Sequence, residues 1–128
     1  MITTRQFALG TLAASVMLAG QASAAEITDN EIRIGYLADM SGVYRDPIGP
    51  LGLDAIQMAV DEMGGNIQGA EIVLFSADDR NSADVGSSVV REWIDERNVD
   101  MVTGLVASSV TLAAVRLLEE ENRLGLVN

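Results

Sequence analysis

The chain has 128 residues, with 8 Arg and no Lys, 19 Asp plus Glu, no His and no Cys. Those absences exclude the usual zinc sites, a Cys nucleophile, a Ser–His relay, any disulfide, and the lysine chemistry of P-loops and Schiff bases. A formal net charge of −11 makes a surface that repels nucleic acid and anionic lipid, and solubility is the favoured reading of it.

Residues 1–24 read as a secretory signal. Met1 to Arg5 is short and positive, Phe7 to Ala19 is an apolar run, and Ala22-Ser23-Ala24 offers the small-x-small pattern that is cut after Ala24. The run is shorter than the roughly 20 apolar residues of a membrane span. Thr4-Arg5-Gln6-Phe7 is like a twin-arginine signal lacking its first Arg, which favours the general secretory route. The expectation is an exported, periplasmic protein whose mature part starts at Ala25.

In the mature part, Ala25 to Glu31 is a polar lead-in and Ile32 to Ala38 a largely apolar strand, as a central parallel strand should be. Asp39 to Pro50, rich in Gly, Pro, Ser and Asp, reads as a loop. A helix follows, with Leu53, Ile56, Val60 and Met63 forming one buried stripe, and Gly64-Gly65-Asn66 stops it. Glu71 to Ser76 is a second strand and Asp78 to Ser82 a polar loop. Asn81 or Ser82 caps a helix over Ala83 to Arg97, its inner face carrying Val85, Val89, Val90, Trp93 and Ile94. Val99 to Val106 is a third strand. Ser108 or Ser109 caps a helix over Val110 to Asn122, and Leu124 to Val127 begins a fourth strand, so the chain reads as a fragment. The alternation predicts an α/β fold with a parallel, doubly wound sheet and right-handed crossovers.

Ligands of open parallel sheets bind at the C-terminal strand edge, here at Asp39–Pro50, Asp78–Ser82 and Ala107–Ser109. The last is the most pointed. Small Ala107 permits close backbone approach, and Ser108 and Ser109 put hydroxyls and free N–H groups at a helix start, a receptor for a carboxylate. A plain capping serine explains the same residues equally well. Gly64 to Gly69 follows a helix and precedes a strand, the reverse of a dinucleotide loop, and reads as a turn. A calcium loop starting at Asp79 would need Gly and Glu where Val85 and Val90 stand, so a solvated loop is expected and no metal. Trp93 reads as core. A phosphorelay receiver domain is rejected, because Gly104-Leu105-Val106 stands where its phosphorylatable Asp belongs.

Ile32-Arg33-Ile34-Gly35, Asp39-Met40-Ser41-Gly42, Gly64-Gly65 with Gly69, Asp78-Asp79, Val99-Asp100 with Gly104, and Ser108-Ser109 form an ordered series. It resembles the start of the periplasmic solute-binding proteins of branched-chain-amino-acid-type ABC importers, which have the type I periplasmic-binding fold, from about Ile32 to Asn128. Met40 to Tyr44, Arg91-Glu92-Trp93 and Ser108-Ser109-Val110 are closer to a branch that binds varied acids, including aromatic ones. The resemblance implies two lobes closing on a solute, with residues 25–128 forming the first part of the N-terminal lobe. It implies a small carboxylate-bearing solute and a membrane permease as partners, a monomer, no cofactor, and no catalysis. Ser108 would hold the carboxylate, beside Ala107 and Ser109, while Ser41 and Tyr44 of the first loop would line the cleft. The disulfide some members carry would join the positions of Asn81 and Ala107, neither of which is Cys here. The alternatives are an amide or urea sensor of the same fold, and a flavodoxin-like enzyme domain, disfavoured by the signal and by the lack of a catalytic constellation.

Overall fold

The computed structural model describes residues 28–127, and the expected signal segment lies outside them. The elements run β1 (Glu31–Ala38), α1 (Arg45–Glu62), β2 (Asn66–Ile67), β3 (Ala70–Asp78), α2 (Ala83–Arg97), β4 (Met101–Thr103), α3 (Ser108–Glu120) and β5 (Leu124–Leu126). They form one sheet in the order β2-β3-β1-β4-β5, parallel except for the edge strand β2. The expected parallel α/β sheet is present.

β1 lies at the centre, paired with β3 on one side and β4 on the other. The connection through α1 runs outward to β3, whereas those through α2 and α3 run back toward β4 and β5. Right-handed crossovers in opposite directions place α1 on one face and α2 with α3 on the other. The second face holds the main core: Leu37, Val90, Trp93, Ile94, Val102, Val110, Ala114 and Leu118 are all buried there. Gly86 lets α2 and α3 meet, since a Cβ on it would stand 2.6 Å from Val110 Cγ1. On the other face, Ile34, Tyr36 and Met101 look across to Gly52, Ala55 and Ile56 of α1, leaving a cavity of about 370 Å³ between sheet and helix.

Several boundaries differ from the sequence expectation for identifiable reasons. α1 begins at Arg45, inside the stretch expected to be loop. Pro47 sits in the first turn, where a missing N–H has no helical acceptor to lose. Gly49 (φ −57°, ψ −105°) then bends the chain ahead of Pro50, and the straight helix starts there. Met63, expected on the buried stripe, is the exposed C-cap residue. β2 was not expected: it pairs with the start of β3 around Gln68 and Gly69, both at positive φ as in a type I′ hairpin. β4 is shorter than expected because Gly104, at φ +87°, turns the chain out of the sheet. Trp93 is buried, as expected. Among the described residues no helix is long and apolar enough to cross a membrane.

Candidate functional site

β1 and β4 are neighbours, yet their following loops lead to helices on opposite faces of the sheet. In open parallel sheets such a divergence marks a crevice beyond the C-terminal strand ends, the general location of ligand sites. The loop after β1 (residues 39–44) carries Ser41 and Tyr44, and the loop after β4 (residues 104–107) leads to Ala107, Ser108 and Ser109. The fold thus brings the two predicted groups to adjacent strand ends.

Asp39 organises the first loop. Its carboxylate is buried and accepts N–H groups from Ser41 (3.3 Å), Gly42 (2.6 Å) and Tyr44 (3.1 Å), wrapping the backbone round one side chain. Gly42 is required at the tip, because a Cβ there would stand 2.5 Å from Asp39 Oδ2. Tyr44 is the N-cap residue of α1 and is 37 % exposed. Ser41 is exposed, and Asp78 accepts the N–H of its neighbour Met40 (2.9 Å).

Asp78 and Asp79 at the end of β3 complete this edge, and an oxygen of each lies within 4.8 Å of one of Asp39. The loop expected to be solvated is therefore corrected at Asp79, which is 1 % exposed. The two acids are pushed in opposite directions. Burial raises the Asp79 pKa, and the neighbouring charges of Asp39 and Asp78 raise it further against the N–H of Asn81. Burial also pushes Asp78 up, but the Ser41 side chain and hydrogen bonds from the Met40 and Arg80 N–H groups outweigh it, with the Arg80 charge, and hold Asp78 below the usual value.

The two shifts predict stability effects of opposite sign. A raised folded-state pKa means that ionised Asp79 costs stability at neutral pH, a cost absent below the ordinary Asp value near 3.9. A lowered one means that ionised Asp78 stabilises above that value, an effect lost as pH falls through its depressed pKa. Asp79→Asn should raise the melting temperature at pH 7 by a few degrees and Asp78→Asn should lower it, with both differences shrinking toward pH 3. Calorimetry across that range checks the signs.

At the second loop, α3 begins at Ser108, and the N-cap residue is Ala107. The expectation that Ser108 or Ser109 caps the helix is thereby corrected: both occupy the first helical positions with exposed side chains. The first helical bond is donated by Thr111 N–H to Ala107 O (2.8 Å), so the N–H groups of Ser108, Ser109 and Val110 precede any intrahelical acceptor. The Thr111 hydroxyl lies 2.9 and 3.0 Å from the Leu105 and Ala107 carbonyls and ties the loop to the helix. Sequence reasoning did not single out Thr111 or the loop-organising role of Asp39. A Thr one turn into a helix after two serines, and an Asp followed within three residues by Gly, were the available signals.

A parallel α/β sheet whose strand order switches at β1, with helix-start N–H groups beside the switch, is the arrangement of a ligand-binding α/β lobe. The chain belongs to the periplasmic binding protein family, which it matches over residues 31–127, and its sheet is the N-terminal part of the type I periplasmic binding fold. It is similar to a crystal structure of a periplasmic binding protein from Burkholderia mallei (36 % identity, TM-score 0.74), covering 77 % of this chain and 26 % of that one. It is also similar to a branched-chain amino acid ABC transporter periplasmic ligand-binding protein from Burkholderia xenovorans (33 % identity, TM-score 0.70; 76 % and 26 % covered). A third is an ABC transporter solute-binding protein from R. palustris, solved in complex with benzoate (25 % identity, TM-score 0.69; 76 % and 27 % covered). The chain thus spans about a quarter of the length of these structures. A search of curated protein sequences finds no match.

Proposed function

We propose that this chain is the first part of a periplasmic receptor of an ABC importer. It captures a small carboxylate-bearing solute, an amino acid or an aromatic acid, between this lobe and a second one. The protein is exported by its cleaved signal, works as a monomer, makes and breaks no bond, and presents its closed form to a membrane permease. The carrying observation is the start of α3, where three N–H groups without helical acceptors and the exposed Ser108 and Ser109 hydroxyls stand beside the crevice. Such a set stabilises an anion through hydrogen bonds and the helix dipole. Ala107 is buried in the core and anchors the start of α3 behind this set, and Ser41 and Tyr44 form the facing rim. The benzoate bound by the R. palustris protein and the isoleucine bound by a similar Streptococcus pneumoniae protein support a carboxylate as the shared chemical handle.

Ser108→Ala in the full-length receptor tests this. Loss of a charge-assisted hydrogen bond of about 1.5–3 kcal/mol should weaken binding roughly 10- to 150-fold. The melting temperature should hardly move, because Ala107 and not Ser108 is the cap. Titration of wild type and variant with benzoate and isoleucine reads the effect, and unchanged affinity removes Ser108 from the site.

A further inference from the structure

Tyr36 is 1 % exposed and lies near the end of β1, directly below the crevice. Its ring occupies a slot that two glycines leave open. A Cβ on Gly104 would stand 2.7 Å from Tyr36 Cε2, and a Cβ on Gly52 would collide with the Tyr36 hydroxyl. That hydroxyl donates to the carbonyl of Ile48, immediately before the bend of α1 at Gly49. Gly49 in turn lies against the first loop, since a Cβ on it would stand 2.8 Å from the Asp39 carbonyl oxygen. One side chain therefore touches the residue that turns β4 into the Ala107–Ser109 loop and the first turn of α1 that continues the Ser41–Tyr44 loop.

We infer that Tyr36 is a positioning residue that braces the two rim loops against each other and so sets which carboxylate-bearing solutes the crevice accepts. The coupling is mechanical. The bend at Gly49 and the proline after it interrupt the ladder of α1: Pro50 has no N–H to give the Asp46 carbonyl. The first turn of α1 is thus joined to its straight part only weakly, and the Tyr36 hydroxyl supplies a fixed point there. The same ring lies directly against Gly104, so a displacement of the ring is passed to the second loop through that contact. Phe in this place would keep the wedge and lose the fixed point.

The solute class rests on the function proposed above, so the test has two independent readouts. In full-length Tyr36→Phe, hydrogen–deuterium exchange without ligand should be several-fold faster in residues 41–48 and unchanged in α2. Titration should show about tenfold weaker binding, with the ratio of benzoate to isoleucine affinity shifted from that of wild type. Gly52→Ala, which displaces the hydroxyl from the other side, should change both readouts in the same direction. Wild-type exchange in residues 41–48 of Tyr36→Phe overturns the brace. So does an unaltered affinity ratio with only a lower melting temperature, which assigns Tyr36 to packing alone. Failure of the wild-type protein to bind any carboxylate overturns the functional reading instead, and the exchange data still decide the brace.

Discussion

Trp93→Ala should cost about 3–5 kcal/mol, the range for deleting a large buried aromatic side chain. That is a large share of the roughly 5–15 kcal/mol by which a domain is stable. Trp93 is 5 % exposed on α2 and lies on β1 directly over Gly35, where a Cβ would run into the indole ring. The glycine is thus the partner of the tryptophan rather than a flexible point in the strand. This gives a signed coupling to measure. Gly35→Ala in the wild-type background should destabilise by overpacking, whereas in the Trp93→Ala background it should recover part of the loss by filling the vacated space. Urea unfolding of the four proteins of this cycle measures it, and additive losses would show that the contact is not tight.

Gly104→Ala should destabilise by about 2–5 kcal/mol, combining backbone strain with overpacking. The residue has φ +87°, and its new Cβ would stand 2.8 Å from the Leu37 carbonyl oxygen as well as against the Tyr36 ring. The backbone oxygen cannot swing aside, so relief must come from moving the loop itself. The loss should therefore appear in solute affinity too, because residues 104–107 carry Ala107 and orient the start of α3. A variant with native stability and affinity would show that the turn out of β4 tolerates a side chain.

Much of this architecture is legible where the pattern is local. The apolar run of β1, the apolar stripe of α2 and the Ser82 cap lie where periodicity and capping chemistry put them, and α2 ends at Arg97 as expected. Misreadings arise where tertiary contact decides. The apolar stretch through Val106 reads as strand, but Leu105 is buried by the loop and helices rather than by sheet pairing. Pro47 and Pro50 read as loop, yet the first turn of a helix tolerates the one and the Gly49 bend accommodates the other. Asp79 reads as solvated because no local pattern reveals that Asp39 lies across the sheet edge. In the candidate site, the positions of Ala107, Ser108 and Ser109 at a helix start were legible from spacing. The division of roles among them was not, since it depends on which residue closes the first helical bond.

The central place of β1 sets the order in which the chain can assemble as it is made. Its two neighbours arrive late: Ala38 pairs with Asp78, and Tyr36 with Thr103. A hairpin protein can zip up behind the ribosome, whereas here the first strand emerges with no partner yet synthesised. Until β3 follows, Ile32, Ile34, Tyr36 and Leu37 have no strand to pair with, and Leu37 has neither α2 nor α3 to cover it. Pairing at such sequence separation is slow to form, and the waiting strand is exposed to association with other chains. A holding chaperone that recognises short apolar segments would find its first target there, and a polypeptide so late to fold stays threadable through a narrow channel for longer.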